Sequence, residues 1–287
     1  TGGLGRSGRW IVDRLAADHA VVCVDLDHPG YEIAPRQHVD FRAADLTDAG
    51  ETFDLVGEID PDAVVHWGSH PSPTRHAGSR VFRDNVTGAY NVLVAAGRAD
   101  ATVVQASSES AYGLAFAEDT PLPDELPITE DHPMRPEDPY GTGKVVAEEV
   151  ADMVHRRHGV PVTSIRPSWI QYPGEYTCRD FDALADGAGN CWSYVDVRDV
   201  ADLVARAVAD VREFRVDERP EEEVREHDPD GRRHAAVRER QRQERQRHRP
   251  RERDDRGVHE QHVLQSAQAR AQPRQPVAGV QHPERAG

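Results

Sequence analysis

The chain has 287 residues, with 51 acidic residues against 35 basic ones and a net charge of -16. Such an acidic balance argues against nucleic acid and anionic membranes as partners. Three cysteines, Cys23, Cys178 and Cys191, show no CxxC spacing, so neither a disulfide framework nor a cysteine metal site is indicated, and a reduced cytoplasmic setting is the expectation. No signal peptide or transmembrane stretch is visible.

The elements can be taken in chain order. Thr1-Gly2-Gly3-Leu4-Gly5-Arg6-Ser7-Gly8 is a glycine-rich turn running into a helix predicted over 8–18. Glycines at 2, 5 and 8 let a backbone approach a pyrophosphate closely, while the helix N-terminus supplies amide donors and partial positive charge. An apolar strand over 20–25 follows and ends at Asp25, about 20 residues past the loop, where a ribose-binding carboxylate is expected. Asp25 has no basic residue among the five that follow it, which favours NAD over NADP.

Further strands are predicted over 37–41, 62–66, 102–106 and 161–166, and helices over 48–57, 80–98, 140–158 and 197–211. Strands alternating with helices of this length imply an α/β fold, a Rossmann-type doubly wound parallel sheet with its ligand at the carboxyl ends of the strands. The acidic, proline-rich stretch 113–139 reads as a mobile loop over the site. His66 and His70 have a spacing that metal ligands can show, but they fall on a strand end and loop with no acidic partner in the local sequence. No metal site is expected there.

Tyr140-Gly-Thr-Gly-Lys144 pairs a phenol with the only lysine of the chain, one helical turn apart. Positions i and i+4 share a helix face, so the ammonium can lower the tyrosine pKa and make the hydroxyl a proton shuttle for an alcohol or ketone. The bland alternative is a surface pair without chemistry.

These residues together resemble the extended short-chain dehydrogenase/reductases, the NAD-dependent epimerase/dehydratase family. The likeness continues through Asp45-Leu46 and Val64-Val65-His66-Trp67-Gly68-Ser69, the latter in place of the family's strand ending in His-x-Ala-Ala. It then runs through Asn85-Val86-Thr87-Gly88-Ala89, Ser107-Ser108-Glu109-Ser110-Ala111-Tyr112-Gly113, Pro139 to Lys144, Arg166-Pro167 and Tyr194-Val195-Asp196-Val197-Arg198-Asp199-Val200-Ala201. These landmarks appear in the family's order over roughly residues 1 to 211.

The resemblance implies NAD as cofactor. Gly2, Gly5, Gly8 and Asp25 would bind its pyrophosphate and ribose, and Asp45 and Leu46 its adenine. His66, Gly68 and Asn85 would line it, and Tyr140 and Lys144 would meet the nicotinamide ribose. By the same resemblance Ser108 would hold the substrate hydroxyl while Tyr140 takes its proton. For Ser107 and Ser108 simple strand-end capping is the alternative. The family's 4,6-dehydratases carry Thr-Asp-Glu where this chain has Ser108-Glu109-Ser110, so dehydration is disfavoured.

Only 26 residues separate Pro167 from Tyr194, a short substrate lobe around 168–194. That is more like the family's simple sugar or uronate dehydrogenases than its nucleotide-sugar (UDP-glucose-type) 4-epimerases, which remain the second reading. The expected substrate is accordingly a small-molecule sugar or nucleotide-sugar. The resemblance also implies a homodimer through the helix bearing Tyr140, where Val145, Val146, Val150 and Met153 could serve either the interface or the core.

Both ends depart from the family pattern. The chain opens within the glycine loop, so the family's first strand is expected to be missing. Residues 216–287 hold one Leu, one Ser and no Phe, Trp, Tyr, Ile, Met, Cys, Lys, Asn or Thr, a composition that cannot build a core. A reading-frame error in GC-rich coding sequence is the favoured explanation of this Arg/Gln/Glu-rich segment, ahead of a genuine disordered tail. An arginine-rich nucleic-acid arm ranks last, because acids are interspersed and aromatics are absent. On this view 1–215 is the nucleotide-binding domain with its lobe, and a truncated, frameshifted product without function is a third reading.

Residues 1–215 carry 36 acids against 18 Arg and one Lys, a net of -17, whereas 216–287 carry 15 acids and 16 Arg, a net of +1. A dense acidic, lysine-poor domain fits a protein kept soluble in high salt. The expected outcome is that the thermal midpoint falls on dialysis from molar to low salt; a midpoint indifferent to salt would sink the halophilic reading.

Overall fold

Val103 and Val104 are neighbours on one strand, yet they face two different cores. In the computed structural model this strand runs Thr102–Ala106, and it is buried along nearly its whole length. Val103 packs with Val92, Leu93, Ala151 and Val154 on one side, and Val104 packs with Ile11, Leu15, Val204 and Val208 on the other. Side chains alternate across a strand, so a sheet covered on both faces reads as a continuous apolar run, as Thr-Val-Val-Gln-Ala nearly does.

The structure describes residues 1–27, 38–119, 121–179 and 187–217. They fall within one compact unit, Thr1–Pro220. The strands are β1 (Val21–Asp25), β2 (Val39–Ala43), β3 (Ala63–His66), β4 (Thr102–Ala106), β5 (Val162–Ile165), β6 (Trp169–Gln171) and β7 (Tyr194–Asp196). The helices are α1 (Gly8–Ala16), α2 (Ala49–Ile59), α3 (Gly78–Arg98), α4 (Pro139–His158) and α5 (Val197–Asp217). Among the described residues the strands pair in parallel: β1 with β2, β3 with β4, β4 with β5, and β6 with β7. Helices α3 and α4 cover one face and α1 and α5 the other, the expected doubly wound arrangement.

Between β1 and β3 lies the start of the chain. The Gly2 amide donates to Val24 O (2.8 Å), the Thr1 ammonium to Val65 O (2.7 Å) and the Trp67 amide to Thr1 O (3.2 Å). These bonds set the glycine turn at the carboxyl ends of both strands.

The helix ends follow local chemistry. Asp138 caps α4 by accepting from the amides of Tyr140 and Gly141 (both 2.8 Å), with Pro139 in the first turn. Gly159, at φ 72°, closes the same helix in the left-handed region, after a last turn containing His155, Arg156, Arg157 and His158. The predicted helices begin within two residues of the observed ones. The two three-residue strands β6 and β7 were beyond the sequence reading, because three residues give no measurable alternation. Helix α5 extends past the predicted end at 211 to Asp217, and the expectation for the tail beyond it falls outside the described residues.

The stretch expected to be a mobile loop is tied down in its described part. His132 is buried, accepts from the Asp124 amide (3.0 Å) and stacks edgewise on Tyr112. Arg166 Nη1 also donates to Glu130 O (2.9 Å).

Leu93 is completely buried between α3, β3 and α4. Leu93→Ala is expected to destabilise the protein by about 2–5 kcal/mol, read from urea unfolding at fixed salt.

Candidate active site

The glycine turn owes its shape to two close approaches. Gly2 has φ +69°, and a Cβ there would lie 2.5 Å from the Gly68 amide nitrogen. A Cβ on Gly8 would collide with Gly2 O, and one on Gly5 would come within 3.1 Å of the same oxygen. These collisions explain why glycine is required at 2 and 8. Ser7, at the N-cap of α1, gives no side-chain cap, and the first turn of the helix holds no acid. A backbone cradle opening on an uncapped helix N-terminus fits a dinucleotide pyrophosphate.

The other residues expected at the cofactor gather around this turn to different degrees. Asp25, at the end of β1, accepts from the Leu4 amide through Oδ2 and the Leu26 amide through Oδ1 (both 2.9 Å), so it also braces the loop. Leu46 meets Gly68, where a Cβ would stand 2.9 Å from Leu46 Cδ1. His66 is buried, with Nδ1 2.9 Å from Thr1 Oγ1. Burial, reinforced by the positive N-terminus and Lys144, holds its pKa down to about 3, so the ring is neutral. Asn85 pins the loop after β3 by accepting from the His70 amide (2.7 Å) and donating to His70 O (3.1 Å). The Asp45 carboxylate closes its own turn, accepting from the amide and hydroxyl of Thr47.

His70 does acquire an acidic partner, contrary to the local reading of the sequence: Asp84 Oδ2 on α3 lies 3.0 Å from its Nε2. The pairing comes from packing across 14 positions. Among the described residues no group of three or more His, Cys, Asp or Glu could hold a metal ion.

At the other end of the cradle, α4 brings Tyr140 and Lys144 to the ends of β3 and β4. The Lys144 ammonium is buried and donates to Ala106 O (2.8 Å) and Ser69 Oγ (3.2 Å). It stands 5.5 Å from the Tyr140 ring centre. Burial pulls its pKa down to about 8, against the opposing pull of Glu148.

Tyr140 departs from expectation. Burial raises its pKa, Ser108 lowers it through a hydrogen bond, and Asp138 and Glu109 raise it further, so the phenol is held above its ordinary value. Lys144 is not what sets this balance, because its ammonium is directed to Ala106 and Ser69. Ser108 acts as the cap that the sequence allowed, and it has a second contact. It caps the short 3-10 turn Glu109–Tyr112, accepting from the Ser110 amide (3.1 Å), and it also reaches the Tyr140 hydroxyl.

Several contributors were not foreseen. Glu148, one turn beyond Lys144, takes a bidentate pair from Arg166 (2.9 and 2.6 Å) and a hydrogen bond from Ser107. Burial alone would raise the Glu148 pKa, but these donors outweigh it and the group is lowered. Its i+4 spacing from Lys144 was a usable signal. Tyr172, after β6, hydrogen-bonds Ser7 Oγ (2.7 Å) and stacks beneath the Arg6 guanidinium, which pairs with Glu175. No local pattern could place that turn on the glycine loop 165 positions earlier. Val150 and Met153 are partly buried and pack against the core.

Residues 1–219 match the NAD dependent epimerase/dehydratase family. The chain belongs to this family. It is 32% identical over 177 residues to an L-arabinose 1-dehydrogenase (NAD(P)(+)) of Haloferax volcanii, covering 59% of this chain and 65% of that one. It is 30% identical over 172 residues to a UDP-glucose 4-epimerase of Streptococcus mutans, covering 58% and 49%. A glucuronic acid dehydrogenase structure from Chromohalobacter salexigens superposes with a TM-score of 0.57 at 26% identity, over 72% of this chain and 70% of that one. The chain thus spans between about half and two thirds of the length of these two curated relatives. Among the described residues no helix is long and apolar enough to cross a membrane.

Gly8→Ala tests the cradle. NAD affinity, followed by fluorescence titration, is expected to fall at least tenfold with the circular dichroism spectrum retained, because the added methyl meets backbone that cannot move aside.

Proposed function

We propose that the chain is the nucleotide-binding and catalytic part of an NAD-dependent dehydrogenase acting on a secondary alcohol or hemiacetal of a small sugar. The observation that carries this is the gathering of Ser108, Tyr140 and Lys144 near the carboxyl ends of β3 and β4. NAD, held by Gly2, Gly5, Gly8 and Asp25, supplies the hydride acceptor. Ser108 orients the substrate hydroxyl and Tyr140 takes its proton. Lys144, fixed by Ala106 and Ser69, would hold the nicotinamide ribose.

The raised Tyr140 pKa has a consequence for pH. The phenol must lose its proton before it can accept one, so sugar oxidation speeds up from neutral towards alkaline pH. Asp25 at the end of β1 would favour NAD over NADP, because a carboxylate bound to the adenosine ribose would repel a 2′-phosphate. The short lobe between Pro167 and Tyr194 supports a small sugar, and the Haloferax relative supports a dehydrogenase. Epimerisation is the second reading, favoured by the similarity to UDP-glucose 4-epimerases. It differs in returning the hydride to the same carbon. A homodimer through α4, with Val145 and Val146 at the contact, is proposed on the family resemblance.

Incubation with NAD and a panel of aldoses and uronates separates the two readings. Accumulating NADH matched by oxidised sugar supports the dehydrogenase, whereas retained NAD with an interconverted nucleotide-sugar supports the epimerase. Tyr140→Phe is expected to lower kcat by about 10²–10⁴-fold. An unchanged rate would remove Tyr140 from the chemistry.

A further inference from the structure

Glu109 follows Ser108 directly, opens the 3-10 turn Glu109–Tyr112 and is assigned no step in the proposed proton transfer. Its side chain is hydrogen-bonded to Asn190. Asn190 ends the turn 187–190, which lies against the residues following the serine motif: a Cβ on Gly189 would be 2.8 Å from Ala115 O. Asn190 Oδ1 is buried and has no hydrogen-bond partner. An orphaned buried acceptor costs about 1–3 kcal/mol, so a donor is expected beside it. A carboxylate cannot donate, but a carboxylic acid can, and it can accept from the Asn190 amide at the same time.

We propose that Glu109 works in its protonated form, closing a two-bond acid–amide clasp with Asn190 that fastens the substrate lobe to the serine motif and keeps negative charge away from Tyr140. It is a positioning residue, and its role at Tyr140 rests on the proposed dehydrogenase or epimerase chemistry; the clasp itself does not. Burial supports the assignment by raising the Glu109 carboxyl to about 8, although the hydrogen bond from Asn190 opposes the rise. An ionised Glu109 also pushes the Tyr140 pKa up, so a neutral one spares the phenolate a repulsion. The groups facing this turn are Tyr140 and Asp138 from α4, Arg166 and His132, which both contact Tyr112, and Asn190 from the lobe.

The sign of the stability effect follows from linkage. A raised carboxyl keeps its proton in the folded chain while the unfolded chain releases it above about 4.5. Stability therefore falls between pH 4.5 and about 8 and levels off beyond. Glu109→Gln removes this contribution and preserves an amide pair. In ligand-free melts at fixed salt, the midpoint of E109Q minus that of the wild-type chain is expected to widen by several degrees across that window. Parallel curves would overturn the clasp.

Infrared titration of the wild-type chain decides the matter even if E109Q does not fold. A protonated-carboxyl band should persist above pH 6 and vanish near 8. No such band above pH 6 overturns the proposal. Neither readout needs turnover, so absence of oxidoreductase activity with both signals present would defeat the proposed function and leave the clasp standing.

Discussion

The structure of the site hangs on one buried cation. Lys144 is the only lysine of the chain, and its ammonium sits among the ends of β3 and β4 with a carbonyl from one and a hydroxyl just past the other. A desolvated ammonium is costly unless its protons are bonded, so this pair of acceptors fixes the rotation of α4 about its axis. Once that rotation is set, Tyr140 one turn earlier must face Ser108, and Glu148 one turn later must face Arg166 and Ser107. The asparate cap at the start of α4 works at the same point, because Asp138 binds the amides of Tyr140 and Gly141. One helix face therefore carries a chain of constraints from its cap to its third turn.

The second constraint is steric and belongs to the cofactor end. The backbones of Gly2, Gly8 and Gly68 approach more closely than any side chain permits, and Asp25 ties the loop to β1 through the Leu4 amide. The two constraints meet at β3, whose last residue His66 contacts Thr1 while Ser69 just beyond contacts Lys144. Neutral His66 is consistent with this position: a charged ring would be desolvated and would meet the like charge of Lys144.

What could be read from the sequence was what is encoded locally. The glycine spacing, Asp25, the Tyr140–Lys144 turn and the apolar strands each lie within a few residues of one another, and each appears where it was expected. What was missed depends on chain segments brought together by folding. Asn190 reaches Glu109 across 81 positions, and Tyr172 reaches Ser7 across 165. The expectation that Lys144 would depress the tyrosine pKa failed for a related reason. Helical spacing puts the two side chains on one face, but it cannot say that Ala106 and Ser69 claim the ammonium or that burial and the Asp138 carboxylate raise the phenol.

The acidity of the chain adds a last step. A protein with a net charge of -16 repels an anionic dinucleotide at long range. The cradle is locally less acidic: the first turn of α1 contains no acid, the Glu175 carboxylate beside the loop is paired with Arg6, and Asp25 is satisfied by two amides. Attraction by helix amides acts over a few ångström, within the roughly 3 Å screening length of molar salt, whereas repulsion from the distant acidic surface does not. Salt would thus remove the unfavourable part of cofactor association and leave the favourable part intact. The same ionic strength that relieves the crowded surface charge would then also favour occupancy of the site, coupling stability and cofactor binding through a single variable.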